Sequence, residues 1–180
     1  MTDEAALLER ARSYDPAALT ALYDRYAPKI YAYIYRRVGN ATLAEDLTSE
    51  LFLRVVRAVQ NERAWRNSFT AWLYRIAHNL VVDHYRRGHS DSFLSLDEAR
   101  LTADDDPAAA AEDAQTHERL GAAIRRLTPE QQQVLALRFG EGLTARETAR
   151  IVDKTTGAVE ALQRRALASL RRILAGDAST

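Results

Sequence analysis

LTARETARIVDKTTGAVEALQRRALASLRR, residues 143–172, reads as two short helices joined by a tight turn. Thr144 with Glu147 three residues on is a capping box, which predicts a helix from about Ala145 to about Val152. Asp153, Lys154, Thr155 and Thr156 then break it. The next helix is expected to open near Gly157, with Thr155 or Thr156 as N-cap, and to reach about Ala175, where Gly176 supplies a stop. Its inward row is Val159, Leu162, Ala166 and Leu170, spaced by three and four. Its outward row is therefore Thr155, Thr156, Ala158, Glu160, Ala161, Gln163, Arg164 and Arg165.

That pattern fits a helix-turn-helix, whose second helix enters a major groove while the first crosses the backbone. Between Lys154 and Arg172 five side chains are basic (Lys154, Arg164, Arg165, Arg171, Arg172) and one, Glu160, is acidic. Such an excess suits phosphate contact. Gln163 and Arg164 have the donor and acceptor sets for bidentate contact with adenine and guanine edges. A solvated helix hairpin, with its bases placed to suit the helix dipole, is the alternative the stretch leaves open.

The rest of the chain narrows the choice. Its 180 residues suffice for one large or two small domains. It has no cysteine, so a disulfide framework and a cysteine-based zinc site are excluded, and His78, His84, His89 and His117 include no HExxH pair. No P-loop or nucleophile elbow is found, and acid pairs such as Glu45 and Asp46 fall on a helix surface with no pocket implied, so neither an enzyme nor a cofactor or metal is expected. No run of about 18 apolar residues occurs, and MTDEAALLERARS lacks a signal-peptide pattern. A cytoplasmic protein without membrane insertion is expected. Abundant Ala, Leu, Arg and Glu with seven Gly and four Pro favour an all-α chain.

Lys plus Arg equals Asp plus Glu at 25 each, which rules out a uniformly basic DNA-coating protein but not a segregated one. Nine acids lie between Asp91 and Glu118 against Arg100 alone. This stretch holds DDDPAAAAEDA and no sustained apolar period, so residues 91–114 are read as an acidic flexible linker between two small helical domains, 13–90 and 115–175. It serves either as a solubilising spacer or as a nucleic-acid mimic.

In the first domain Asp15 and Pro16 supply an N-cap and a first-turn proline. Leu19, Leu22, Tyr23, Tyr26, Ile30, Tyr33, Ile34 and Val38 give a helical stripe, which Pro28 is expected to kink or divide near Ala27. Gly39 and Asn40 end it. Thr42 with Glu45 forms another capping box for a helix from Leu43 to about Gln60, whose seam is Leu43, Leu47, Leu51, Val55 and Val59. Its opposite face shows Glu45, Asp46, Ser49, Glu50, Leu53, Arg54 and Arg57. A polar loop, NERAWRNS, leads to a helix from Phe69 to about Arg87 with Phe69, Trp72 or Leu73, Ile76 and Leu80 inward. The other face of that helix carries Tyr74, Arg75, His78, Asn79, Val82, Tyr85, Arg86 and Arg87. Rings, amides and guanidinium groups so interleaved are the means by which single-stranded nucleic acid is bound, and equally suit an amphipathic core helix.

AEDLTSELFLRVVRAV followed by FTAWLYRIAHNLVVDHYRR resembles region two of bacterial sigma factors of the extracytoplasmic function (ECF) group, within the sigma-70 family. LTPEQQQVLALRFGEGLTARETARIVDKTTGAVEALQRRALASLRR resembles their region four, and order and separation match. The resemblance implies a dissociable specificity subunit of core RNA polymerase, with region two opening and reading the minus 10 element and region four reading the minus 35 duplex. It also implies that Asp46, Glu50, Phe52, Leu53 and Arg54 dock on the beta-prime clamp helices. The loop Asn61 to Ser68, with Trp65, Arg66 and Asn67, would capture a flipped minus 10 base, while Trp72, Tyr74, Arg75, His78, Asn79, Tyr85, Arg86 and Arg87 would line the melted strand. Thr155, Thr156, Ala158, Glu160, Ala161, Gln163, Arg164 and Arg165 fall to the minus 35 element, and the helix Pro129 to Phe139, capped by Thr128 and Gln131, to the beta flap.

Three positions depart from the family pattern. Ser49 stands where many members have Gln, and Glu160 and Ala161 where Lys and Ser are frequent. Glu160 either accepts from a cytosine amino group or only repels phosphate. Thr180 leaves no room for the extra C-terminal domain of some subgroups, so an anti-sigma factor is the expected regulator. The competing readings are a stand-alone helix-turn-helix regulator, which would bind intact duplex symmetrically without polymerase, and a helical adaptor with no DNA contact.

Overall fold

The computed structural model describes residues 3–59, 68–87 and 118–177, and every regular element in them is helical. Two compact units result. The first holds α1 (Asp3–Arg12), α2 (Pro16–Val38), α3 (Ala41–Ala58) and α4 (Phe69–Arg86). The second holds α5 (residues 118–125), α6 (Pro129–Leu135), α7 (Ala145–Ile151) and α8 (Thr156–Asp177), with a π-helical turn at Ala136–Gly140 continuing α6.

In the first unit α2 is the spine, packed against the other three helices. Its start follows the local chemistry: the Asp15 carboxylate accepts from the Ala17 amide at 3.0 Å, and Pro16 has no amide to leave unpaired. Arg10 beside Asp15 holds that carboxyl below its ordinary value. Leu22, Ile30 and Ile34 from α2, Leu51 from α3 and Val59 just after it, and Leu73 and Tyr74 from α4 are fully buried. Each such side chain contributes roughly 1.5–3 kcal/mol of apolar burial, so Leu51→Ala alone would cost about 2–5 kcal/mol.

Four local expectations are corrected here. Helix α2 runs unbroken through Pro28. Pro28 and Asp24, whose carbonyl loses its amide partner, are both exposed, so water can satisfy the freed group. Helix α3 starts at Ala41, because Asn40 rather than Thr42 is the cap: the Asn40 side chain accepts from the Leu43 amide at 2.9 Å. Gly39, at φ 62°, ends α2 in the left-handed conformation and delivers Asn40 extended, which is what a cap requires. Helix α1 was not foreseen. It buries Ala11 and is tied down by the Tyr26 hydroxyl donating to Glu4 at 2.7 Å, a contact with no local sequence signal.

The second unit keeps its predicted boundaries more closely. Both capping boxes form: Thr128 with Gln131, and Thr144 with Glu147, each pair exchanging side-chain and backbone bonds. The buried Gln132 amide donates to the Leu127 carbonyl at 2.9 Å and to that of Arg125 at 3.3 Å, stitching α5 to α6. Asp153 sits at φ 53°, which lets the Lys154 amide bond back to the Ala149 carbonyl at 3.0 Å and close α7. The fourth correction is at the end of α8, which continues through Gly176 to Asp177, since glycine permits a left-handed stop without enforcing one.

Candidate nucleic-acid and polymerase interfaces

Helix α8 starts where Thr155 caps it, its hydroxyl oxygen accepting from the Ala158 amide at 3.2 Å. The inward row is as expected: Val159, Leu162, Ala166 and Leu170 are buried, the last two in a cluster with Ala123, Leu127 and Leu135. The core therefore fixes which arc of α8 faces outward. Thr155, Thr156, Glu160, Arg164 and Arg165 are exposed on it, while Ala158, Ala161 and Gln163 are half-buried.

Gln163, expected to face an adenine edge, is tied into the fold. Its side-chain oxygen accepts from Arg138 Nε at 2.9 Å, so one of its two lone pairs is engaged within the fold. Arg138 belongs to the π-helical turn and also donates to the Leu143 carbonyl. Lys154 is likewise engaged, paired with Glu130 at 2.8 Å. Arg164, Arg171 and Arg172 remain on the exposed surface.

On α4, Ser68 caps the first turn through the Ala71 amide at 3.1 Å. Arg75, Asn79, Arg86 and Arg87 are exposed, and Trp72, His78 and Tyr85 half-buried. Tyr74 is corrected from the outward face to the core: it is fully buried, edge-on to Tyr33 with ring centroids 5.1 Å apart. The Tyr85 hydroxyl donates to the Arg37 carbonyl, joining the C-terminal ends of α4 and α2, and burial raises its phenol above the usual range. Arg37 itself is held in place, its guanidinium 3.5 Å above the Tyr33 ring, donating to the Tyr33 carbonyl. Trp65, Arg66 and Asn67 lie outside the described residues.

On α3, Asp46, Glu50, Leu53 and Arg54 are exposed together. Glu50 and Arg54 form an i, i+4 pair, worth only a few tenths of a kcal/mol at such exposure. Phe52, expected on the same outward face, is instead buried, with its ring 4.8 Å from that of Tyr23. Two apolar residues absent from the expected docking set, Tyr23 and Val56, are exposed, and so is Leu53 at 58%. Tyr23 also borders a cleft of about 650 Å³ between α2 and α3, whose walls include Asp24, Tyr31, Glu45 and Ser49. In the second unit Phe139 is 61% exposed on the π-helical turn, where a helix reading had left its orientation open. Among the described residues no group of three or more His, Asp or Glu is placed to hold a metal, and no helix is long and apolar enough to cross a membrane.

Residues 22–90 match the Sigma-70 region 2 family, and residues 123–172 match Sigma-70, region 4. The ECF RNA polymerase sigma factor SigD of Mycobacterium tuberculosis is 32% identical over 180 residues, covering 96% of this chain and 85% of that protein. The chain belongs to the ECF sigma factors. The ECF sigma factor BldN of Streptomyces coelicolor is 39% identical over 178 residues, 96% of this sigma factor but only 66% of the length of BldN. A solved structure of CnrH in complex with the cytosolic domain of CnrY is similar at a TM-score of 0.59 and 26% identity, covering 96% of this chain and 97% of that one. The region 2 match takes in α2 from Leu22 onward, α3 and α4, and the region 4 match runs from α5 into α8.

Proposed function

We propose that this ECF sigma factor is the dissociable, non-catalytic specificity subunit of core RNA polymerase, acting in the cytoplasm to direct initiation at its own set of promoters. The observation that carries this reading is the presence of regions 2 and 4, in that order, on one chain. The alternative of a stand-alone helix-turn-helix regulator leaves the whole first unit without a role.

In this reading Asp46, Glu50, Leu53 and Arg54, with Tyr23 and Val56 beside them, form the face that docks on the beta-prime clamp helices. The region 4 turn bearing Phe139 meets the beta flap. Trp72, Arg75, His78, Asn79, Arg86 and Arg87 line the melted minus 10 strand, with Trp65, Arg66 and Asn67 capturing the extruded base. Extruding a base costs a few kcal/mol, and a pocket that recovers this only for the right base makes opening and reading one step. The minus 35 element needs no opening. Thr155, Thr156, Ala158, Glu160, Ala161, Arg164 and Arg165 present α8 to its major groove, with the arginines supplying phosphate or guanine contacts. CnrH was solved with the cytosolic domain of CnrY, which supports a protein partner for this chain, and the family reading makes that partner an anti-sigma factor.

Run-off transcription from a genomic fragment library with purified core polymerase tests the reading. Initiation at a defined promoter set only when the chain is added is the expected result. Tight duplex binding by the chain alone, with no initiation, would instead identify a stand-alone regulator.

A further inference from the structure

We propose that Glu160 is a specificity-determining residue of α8, its carboxylate accepting a hydrogen bond from the N4 amino group of a cytosine in the minus 35 duplex. The proposal rests on the reading of α8 as the helix that enters the major groove.

Glu160 is the one acid between Lys154 and Arg172, among five bases. It is exposed in the second turn of α8, close to the Thr155 cap. Neither Glu160 nor Arg164 makes a hydrogen bond or ion pair with another described residue, so neither is consumed by the fold. In this they differ from Gln163, held by Arg138, and Lys154, held by Glu130.

A carboxylate carried between two rows of phosphates is repelled unless it meets a donor, and the only major-groove donors are the cytosine N4 and adenine N6 amino groups. An ionised carboxylate accepts and cannot donate. Adenine sets its N7 acceptor next to N6, against the second carboxylate oxygen, whereas cytosine offers its amino group with no acceptor on the same base edge. Cytosine is therefore the base that Glu160 selects, and every other base at that position is penalised by the same repulsion.

Arg164 lies one turn on, on the same face. The two residues are about 6 Å apart along the helix axis, one to two base steps at about 3.4 Å each. Arg164 suits guanine O6 and N7. The α8 pair thus reads a cytosine and a guanine one or two steps apart.

The test is transcription by the reconstituted holoenzyme from a promoter library randomised across the minus 35 element, comparing the wild type with Glu160→Ala, Glu160→Gln and Arg164→Ala. Both side chains are exposed and make no hydrogen bond or ion pair with another described residue, so the variants keep the fold, which a circular dichroism melt verifies. The wild type is expected to prefer cytosine at one position by about ten-fold or more. Glu160→Ala abolishes that preference alone. Glu160→Gln shifts it toward adenine, because an amide both donates and accepts. Arg164→Ala relaxes a guanine preference one or two positions away. A uniform gain on all templates with Glu160→Ala would reduce Glu160 to phosphate repulsion and overturn the proposal, as would an unchanged base profile while Arg164→Ala alters its own position. No change with either variant would overturn the groove reading of α8 itself.

Discussion

Arg138 Nε donates to the Gln163 side-chain oxygen at 2.9 Å, joining the π-helical turn to α8 across 25 residues of sequence. The same guanidinium bonds the Leu143 carbonyl just before the α7 cap, so one side chain aligns three elements of the helix-turn-helix. Replacing it by alanine leaves a carbonyl and an amide oxygen without their donor. Arg138→Ala is expected to destabilise region 4 by about 1–3 kcal/mol. In a double-mutant cycle with Gln163→Ala, thermal unfolding should give a coupling of at least about 0.5 kcal/mol. Additive losses would mean that the two side chains do not act together.

Tyr26 makes a second such tie, in the first unit. Its hydroxyl donates to Glu4 at 2.7 Å and lies 3.3 Å from the Thr70 hydroxyl, and its ring is edge-on to Phe69. Burial chiefly pushes this phenol from its ordinary 10.0 up to about 12. Because the folded-state value is the higher one, the stability linked to the protonated phenol is fully present below pH 10 and is lost as pH rises toward 12. Tyr26→Phe should remove one late-ionising tyrosine from an alkaline absorbance titration. It should also flatten the loss of stability over that window. An unchanged titration curve would contradict the assignment.

The sequence carried the rows that pack α8 and the caps at Asp15, Thr128 and Thr144, because those signals are local: a helical period and a side-chain oxygen three residues from an amide. The orientation of α4 was not local. Phe69, Trp72, Leu73, Tyr74, Ile76, Leu80, Val81 and Val82 spread apolar surface over more than one face, so period alone could not choose the seam. Tyr33, on a different helix, makes the choice by pairing with Tyr74. The tie from Arg138 to Gln163 was hidden for the same reason, since Arg138 sits on a π-helical turn that no sequence motif announces. At the start of α3 the Thr42–Glu45 spacing pointed to Thr42 as the cap, and the left-handed Gly39 decided for Asn40.

The turn of the helix-turn-helix stores a small amount of backbone strain that substitution can expose. Asp153 occupies φ 53°, a conformation that costs a side chain about 1–2 kcal/mol and a glycine almost nothing. Asp153→Gly should hold or raise the melting temperature. Asp153→Val, β-branched, should lower stability by at least about 1 kcal/mol. Equal melting temperatures for the two variants would show that the turn relaxes to an ordinary conformation.

Leu53 and Phe52 are neighbours in sequence and opposite in environment, so substitutions at the two positions test docking and folding separately. Leu53 is 58% exposed among Asp46, Glu50 and Arg54, whereas Phe52 is 9% exposed against Tyr23. Leu53→Asp removes no buried contact and should leave stability within about 0.5 kcal/mol of wild type. If this face docks on core polymerase, the same change sets an unpaired charge in the centre of an apolar contact, and affinity should fall by about ten-fold or more. Phe52→Ala is expected to cost about 3–5 kcal/mol of stability and to weaken polymerase binding only as far as it unfolds the first unit. Competition for core polymerase, measured beside thermal melts, distinguishes the two. A Leu53→Asp variant that binds as the wild type would place the docking face elsewhere on the first unit.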